Sequence, residues 1–295
     1  MRPFADPEEL VRRLEHCGYI AEPSLAVSLM LMAQLRRPLL VEGDAGVGKT
    51  GIAKALAAAY GCELIRLQCY EGLDVNAAVY EWDYRRQLLA IKLRETDDSS
   101  VEEKERHVFS EQYLLQRPLL QAIRRPQPPV LLIDEVDRAD EEFEAYLLEV
   151  LSDYQISIPE LGTIPATSIP HVLLTSNGTR ELSDALRRRC LYYYLDYPDY
   201  DKELRIVLKR VPGIEAKLAG QVTTLVQKLR ALDLQKRPGT AETLDWAAAL
   251  VQLRILSLDS DPAAIVDTVG CLLKTREDQA ALPPTEFARL LAQSA

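Results

Sequence analysis

Eight residues, Gly43-Asp44-Ala45-Gly46-Val47-Gly48-Lys49-Thr50, restrict the fold more than any other stretch of this 295-residue chain. They match the pattern G-x-x-x-x-G-K-S/T, and the flanks are the ones it needs. The apolar run from Arg37 to Glu42 reads as a short buried strand, and Gly51 to Tyr60 reads as a helix. Glycines in such a strand-to-helix loop let successive backbone N–H groups turn inward around a polyphosphate, and the helix N-terminus adds its positive dipole. Lys49 is then expected to reach the β and γ phosphates, and the Thr50 hydroxyl to ligate magnesium. A Gly-rich turn that fits the pattern by chance is the competing reading, and the correct flanks weigh against it. The sequence implies a nucleoside-triphosphate site.

Composition bounds the rest. Apolar residues at 47% and charged residues at 27% suit a folded chain with a proper core. No apolar run approaches the roughly 18 residues of a membrane span, and Met1 to Glu9 lack the apolar stretch of a secretory signal. A cytoplasmic protein is expected. The five cysteines (Cys17, Cys62, Cys69, Cys190, Cys271) show no metal-ligand spacing and read as reduced, mostly buried small hydrophobes. A formal net charge of −10 argues against wholesale nucleic-acid binding, which needs a surplus of Lys and Arg. The charge run from Asp97-Asp98 through Glu102, Glu103, Lys104, Glu105 and Arg106 reads as a solvated surface connection.

Three further segments bear on the same chemistry. Pro129 to Asp137 is an apolar run ending in Asp134-Glu135. Ligands of nucleotide-binding α/β sheets sit beyond the carboxyl ends of the strands, so Asp134 is placed to hold magnesium through water and Glu135 to orient and polarise the attacking water. His171 to Asn177 is another apolar run ending in a polar amide, and Asn177 is a candidate contact for the γ phosphate or the attacking water. A short helix then ends in Arg187-Arg188-Arg189 and leads into a Tyr-rich strand. Those arginines form either a solvated basic helix end or an arginine finger that meets the γ phosphate of a neighbouring subunit.

Apolar segments near 38–41, 63–69, 129–134, 171–176 and 190–195, with helical patterns between them, predict a parallel sheet covered on both faces. Asp6-Pro7-Glu8-Glu9 reads as a helix opening, with Asp6 as the cap. Residues 74–93 alternate unevenly and read as a turn-containing insertion. After Pro198 the pattern is helical only, with helices expected at about 200–210, 214–230, 240–257 and 261–274. Thr240 is the expected N-cap of the third, whose apolar stripe would be Leu244, Ala247, Ala248 and Val251.

The phosphate loop, Asp-Glu strand, strand-terminal Asn and Arg-bearing helix, in that order, resemble the AAA+ ATPases. Asp134-Glu135-Val136-Asp137-Arg138-Ala139 looks like the acidic motif of the MoxR family, a chaperone-like group of AAA+ proteins. Cys69 to Trp82 sits where that family carries an insertion, and Ile156 to Pro165 looks like its β-hairpin before the Asn-bearing strand. The wording is closest to the branch associated with carbon-monoxide-dehydrogenase maturation and von Willebrand factor A partners, over about residues 22–255.

That resemblance implies a three-layer α/β P-loop AAA+ core with a five-stranded parallel sheet over 1–198, an insertion at about 71–95, and an all-helical lid over 199–295. It implies ATP and Mg2+ as cofactors, with Gly43 to Thr50 and Asp134 binding nucleotide, Thr50 and Asp134 holding the metal, and Lys49, Glu135 and Asn177 catalytic. The finger falls on Arg188 or Arg189. The family's lid arginine, in a Ser-Pro-Arg-Ala motif, has no equivalent in Lys236-Arg237-Pro238-Gly239-Thr240-Ala241, and Arg237 is the candidate substitute. The function implied is an ATPase that forms a ring, expected to be hexameric, and remodels or matures a client protein, a metalloenzyme being the candidate, with a von Willebrand factor A partner. A slow ATP-gated interaction switch is the alternative, and a nucleic-acid motor the weaker third.

Overall fold

Five apolar runs form one parallel sheet: β1 (Leu39–Glu42), β2 (Leu64–Gln68), β5 (Val130–Asp134), β8 (His171–Ser176) and β9 (Leu191–Tyr194). Two antiparallel pairs accompany it, β3 (Tyr80–Trp82) with β4 (Leu114–Gln116), and β6 (Gln155–Ile158) with β7 (Gly162–Pro165). The computed structural model describes residues 4, 6–93, 100–260, 262–292 and 294. Met1, Arg2, Pro3 and Ala5 of the N-terminal reading, residues 94 and 95 of the expected insertion, Asp97 and Asp98 of the charge run, and Asp261 before the last expected helix lie outside them.

The strand order is β2-β5-β8-β1-β9. Pairing sets Leu67 beside Ile133, Ile133 beside Leu174, and Leu40 beside Leu174, so one face carries a continuous apolar layer. The alternate residues Leu39, Val41, Val130, Leu132 and Leu173 are buried as well. A sheet buried on both faces needs apolar side chains at every position, which is why β1, β5 and β8 read as unbroken runs, whereas the edge strands β2 and β9 expose Arg66, Tyr192 and Tyr194. The result is the expected three-layer α/β arrangement. β1 lies between β8 and β9 while the chain leaves it for the distant β2, so β1 is a topological switch point. Gly43, first residue of the phosphate loop, follows directly on Glu42, and the helix Lys49–Tyr60 follows the loop.

Contacts divide the chain into two compact units. The first comprises Met1–Leu10, Pro23–Glu42 and Ala53–Tyr193, and contains the sheet. Its insertion is larger and more ordered in pattern than the uneven alternation suggests. The helices Val75–Ala78, Tyr84–Leu93 and Val101–Val108 lie between β2 and β4. Part of the supposed surface connection is therefore helical: Ser100 accepts from the Glu103 N–H, and Glu103 reaches back to the Ser100 N–H, forming a capping box. Leu88, Leu89 and Leu93 on the middle helix are exposed. The expected hairpin is present as β6–β7, turned by Gly162 at φ +78°.

The second unit comprises Val11–Glu22, Gly43–Ile52 and Tyr194–Ala295. Its core packs Val207, Val222, Leu225, Trp246 and Leu250 together. Glu203, fully buried, accepts from Arg230 at 2.6 and 2.7 Å, from Gln227 at 2.8 Å and from Thr243 at 2.8 Å. Helices Tyr200–Arg210 and Ala216–Arg230 match expectation; the later ones correct it. The third, Thr240–Gln252, stops short because Arg254 turns left-handed at φ +58°. Its buried stripe is Thr243, Trp246, Ala247 and Leu250, and its cap is Gly239 rather than Thr240, because Glu242 accepts from the Gly239 N–H. The expected fourth helix is only Pro262–Val266 plus a turn at Val269–Cys271, and the helices Arg276–Ala281 and Pro284–Ala292 follow. Of the five cysteines, all free, only Cys69 and Cys190 are buried; Cys17 is exposed. No helix among the described residues is long and apolar enough to cross a membrane.

Candidate nucleotide site

The phosphate loop is shaped by close approaches inside the second unit. A Cβ on Gly43 would lie 2.2 Å from the Leu195 carbonyl oxygen, so no side chain fits there. Gly46 adopts φ +81°, and a Cβ on it would meet the Glu242 carboxylate at 2.9 Å. The Gly46 carbonyl accepts from the Ala241 N–H at 3.2 Å. Lys49 is 7% exposed and its ammonium donates to the carbonyls of Gly43 at 2.7 Å and Asp44 at 2.8 Å. The Tyr197 phenol donates to the Asp44 carboxylate, and Arg230 stacks 4.8 Å from the Tyr197 ring centre. Burial, reinforced by Asp44, raises the Tyr197 pKa well above the ordinary phenol range, so it stays a donor.

Behind the loop lies a cavity of about 170 Å³, also within the second unit. Tyr19, Ile20, Val47, Leu195, Ile206 and Leu244 give it a mostly apolar lining, and Gly46, Gly48, Thr240 and the charged Asp196, Lys202 and Arg210 are also part of its wall. The segment bearing Tyr19 and Ile20 is tied to the Tyr200–Arg210 helix by Lys202–Glu22 at 2.6 Å and Arg205–Glu15 at 2.8 Å. A second cavity of about 400 Å³ is lined by Asp44, Ala45, Tyr197, Lys236, Arg237 and Lys274 among others. Arg237, the candidate lid cation, therefore lines a cavity with two loop residues.

In the first unit, the carboxyl ends of β5 and β8 bring the acids and Asn177 together. Asp134 is 2% exposed; it accepts from the Thr175 hydroxyl at 2.6 Å and from Arg66 at 2.5 and 3.0 Å. Glu135 follows with φ 56° and ψ 51°, a left-handed backbone unusual for a residue with a side chain. Its N–H donates to Thr175 at 2.9 Å, and its carboxylate accepts from Gln68 at 3.1 Å and pairs with Arg138 at 3.0 Å. Asp137 accepts from the N–H groups of Asn177 at 3.2 Å and Thr179 at 3.0 Å, and from the Thr179 hydroxyl at 2.6 Å. That carboxylate fixes the turn carrying Asn177. Burial, with Asp134, Asp137 and Glu135 nearby, pushes the Cys69 thiol up to about 12 and leaves it unreactive at neutral pH.

The three arginines divide. Arg187 turns to Glu42 at 3.0 Å. Arg188 and Arg189 are exposed and their side chains make no ion pair among the described residues. Arg37 holds their backbone carbonyls at 2.7 and 3.2 Å, which fixes the helix end from which they project.

Residues 38–190 match the family described as AAA domain (dynein-related subfamily). The chain belongs to this AAA domain family. Among curated relatives, an uncharacterised Staphylococcus haemolyticus protein is 26% identical over 208 residues, covering 68% of this chain and 71% of its own. One from Staphylococcus epidermidis is 28% identical over 271 residues, covering 86% and 91%. A crystal structure of a candidate ATPase from Cytophaga hutchinsonii aligns with TM-score 0.47 at 14% identity, over 98% of this chain and 93% of that one.

Several supporting residues carry little signal in the sequence. Arg66 has a signal in hindsight, as a lone cation in the strand Leu64–Gln68 whose neighbours are apolar. Asp137 stands out in the sequence only as part of the acidic motif. Tyr19 and Ile20 carried no signal, because an apolar pair after a helix end is ordinary core.

Proposed function

We propose that the chain binds ATP with Mg2+ and hydrolyses it to ADP and phosphate, and that it acts as a ring-forming, chaperone-like ATPase on a partner protein. One observation carries the reading: the Gly43–Thr50 loop forms part of the wall of an apolar cavity of about 170 Å³. Phosphate-binding backbone beside an apolar slot suits a nucleotide, with the base in the slot. Lys49 would neutralise β and γ phosphate charge. Glu135 would orient the attacking water and take its proton, and Asn177 would contact the γ phosphate or that water.

Thr50 and Asp134 are the residues that would hold Mg2+. Their hydroxyl and carboxylate oxygens are hard donors of the kind it prefers. No group of three or more acid, His or Cys side chains among the described residues could hold a metal unaided. An ion held there through one or two side chains, water and substrate phosphates would supply charge neutralisation on the transferred group.

The exposed Arg188 and Arg189 support a trans role, in which one of them completes the site of a neighbouring copy. A trans role needs a homo-oligomer; that this is a hexameric ring, in the cytoplasm, with a client and a von Willebrand factor A partner rests on the family resemblance. The exposed Leu88, Leu89 and Leu93 supply apolar surface for such contacts. The Thr240–Gln252 helix opens on Thr240 and Ala241 with no arginine, which favours a second reading, an ATP-gated switch with slow turnover. ATP turnover per subunit, measured against protein concentration, separates them. A steep rise supports the ring ATPase; no turnover at any concentration despite tight ATP binding supports the switch.

A further inference from the structure

The Thr240 side chain is only 7% exposed, yet its hydroxyl finds no hydrogen-bond partner among the described residues. Buried hydroxyls are normally paired. Helical threonines elsewhere in this unit obey that rule: Thr223 and Thr224 each donate to the carbonyl four residues earlier, at 2.8 and 2.9 Å, and Thr243 donates to the Glu203 carboxylate at 2.8 Å. Thr240 does not cap its own helix either, because that place belongs to Gly239, satisfied by Glu242. What Thr240 does is line the cavity of about 170 Å³ behind the phosphate loop.

The chemistry of that cavity narrows the missing partner. Ile20, Val47, Leu195, Ile206 and Leu244 make its lining mostly apolar, although Asp196, Lys202 and Arg210 also line it, and such a slot accepts a flat aromatic ring. A purine is such a ring, with polar atoms only at its edge. We propose that the Thr240 hydroxyl reads that edge, its oxygen accepting a hydrogen bond from the 6-amino group of adenine. The inference rests on the ATP reading and adds a specificity-determining residue to it. A hydroxyl rotates and can also donate, so discrimination against a 6-oxo purine is modest. The sharper contrast is with a purine that carries nothing at position 6.

Titration calorimetry on the full chain tests this with two probes that are not turned over, ADP and purine riboside 5′-diphosphate. Thr240→Val keeps the branched shape and removes the hydroxyl. It is expected to weaken ADP about fivefold, the size of one ordinary hydrogen bond, and to leave the 6-unsubstituted nucleotide unchanged. Thr240→Ser is expected to restore ADP affinity. Unchanged binding of the second probe also shows that the valine variant is folded. Equal ADP affinity in wild type and Thr240→Val overturns the proposal, and so does equal weakening of both probes. Failure of the wild type to bind either nucleotide would instead sink the nucleotide reading itself.

Discussion

At the scale of single residues, two substitutions separate binding from chemistry. Lys49→Ala removes the buried ammonium at the phosphate loop and should abolish measurable ATP binding; retained affinity by titration would break the loop assignment. Glu135→Gln keeps the shape and loses the base, so ATP should bind while turnover falls at least about 100-fold. His171 makes a pH prediction. It stacks on Tyr60 with ring centres 4.8 Å apart, and burial lowers its pKa to about 4. The unfolded chain protonates this imidazole near pH 6.5 while the folded one resists until about pH 4. Its stability contribution is therefore full above about pH 6.5 and is lost as pH falls toward 4, by at most about 3 kcal/mol. His171→Phe should flatten the melting-temperature profile over that window; an unchanged slope would refute the assignment. The Gly43–Thr50 loop, Asp134 and Glu135 were legible in the sequence because their chemistry is written at fixed spacing. Arg66, Asp137 and Thr240 were not, since a lone cation, acid or hydroxyl acquires a role only from neighbours distant in sequence.

At the scale of elements, legibility followed burial. The central strands β1, β5 and β8 could be read because a sheet covered on both faces demands apolar residues at every position. The segment between β2 and β4 could not, because its helix Tyr84–Leu93 leaves Leu88, Leu89 and Leu93 exposed and so breaks the pattern that marks a helix. Of the helices after Cys271, Arg276–Ala281 escaped for a related reason: it is only 6 residues long, too short for periodicity to show. The Ala216–Arg230 and Tyr200–Arg210 helices are joined by an ion pair whose side chains are 7% and 0% exposed, Arg230 and Glu203. Glu203→Gln strands a buried guanidinium and should cost about 3–5 kcal/mol, read as a large drop in melting temperature. The double variant Glu203→Leu, Arg230→Met removes both charges and should recover much of that loss. If the double variant is no better than the single one, the pair is not a coupled unit.

At the scale of the whole molecule, the arginine assignment predicts mixing behaviour. Arg188→Ala or Arg189→Ala should lower turnover at least about 1,000-fold while leaving ATP affinity near wild type. Subunits of that variant mixed with Glu135→Gln subunits should regain part of the activity, because each supplies what the other lacks. Absence of any recovery in assembled mixtures would argue for a self-contained site. Glu135 itself carries one more consequence. Its left-handed backbone, φ 56°, is a conformation that glycine or asparagine adopts more cheaply. Selection of variants for heat resistance alone would therefore favour losing the glutamate there, and a library ranked by thermal survival would be enriched in inactive proteins at this one codon.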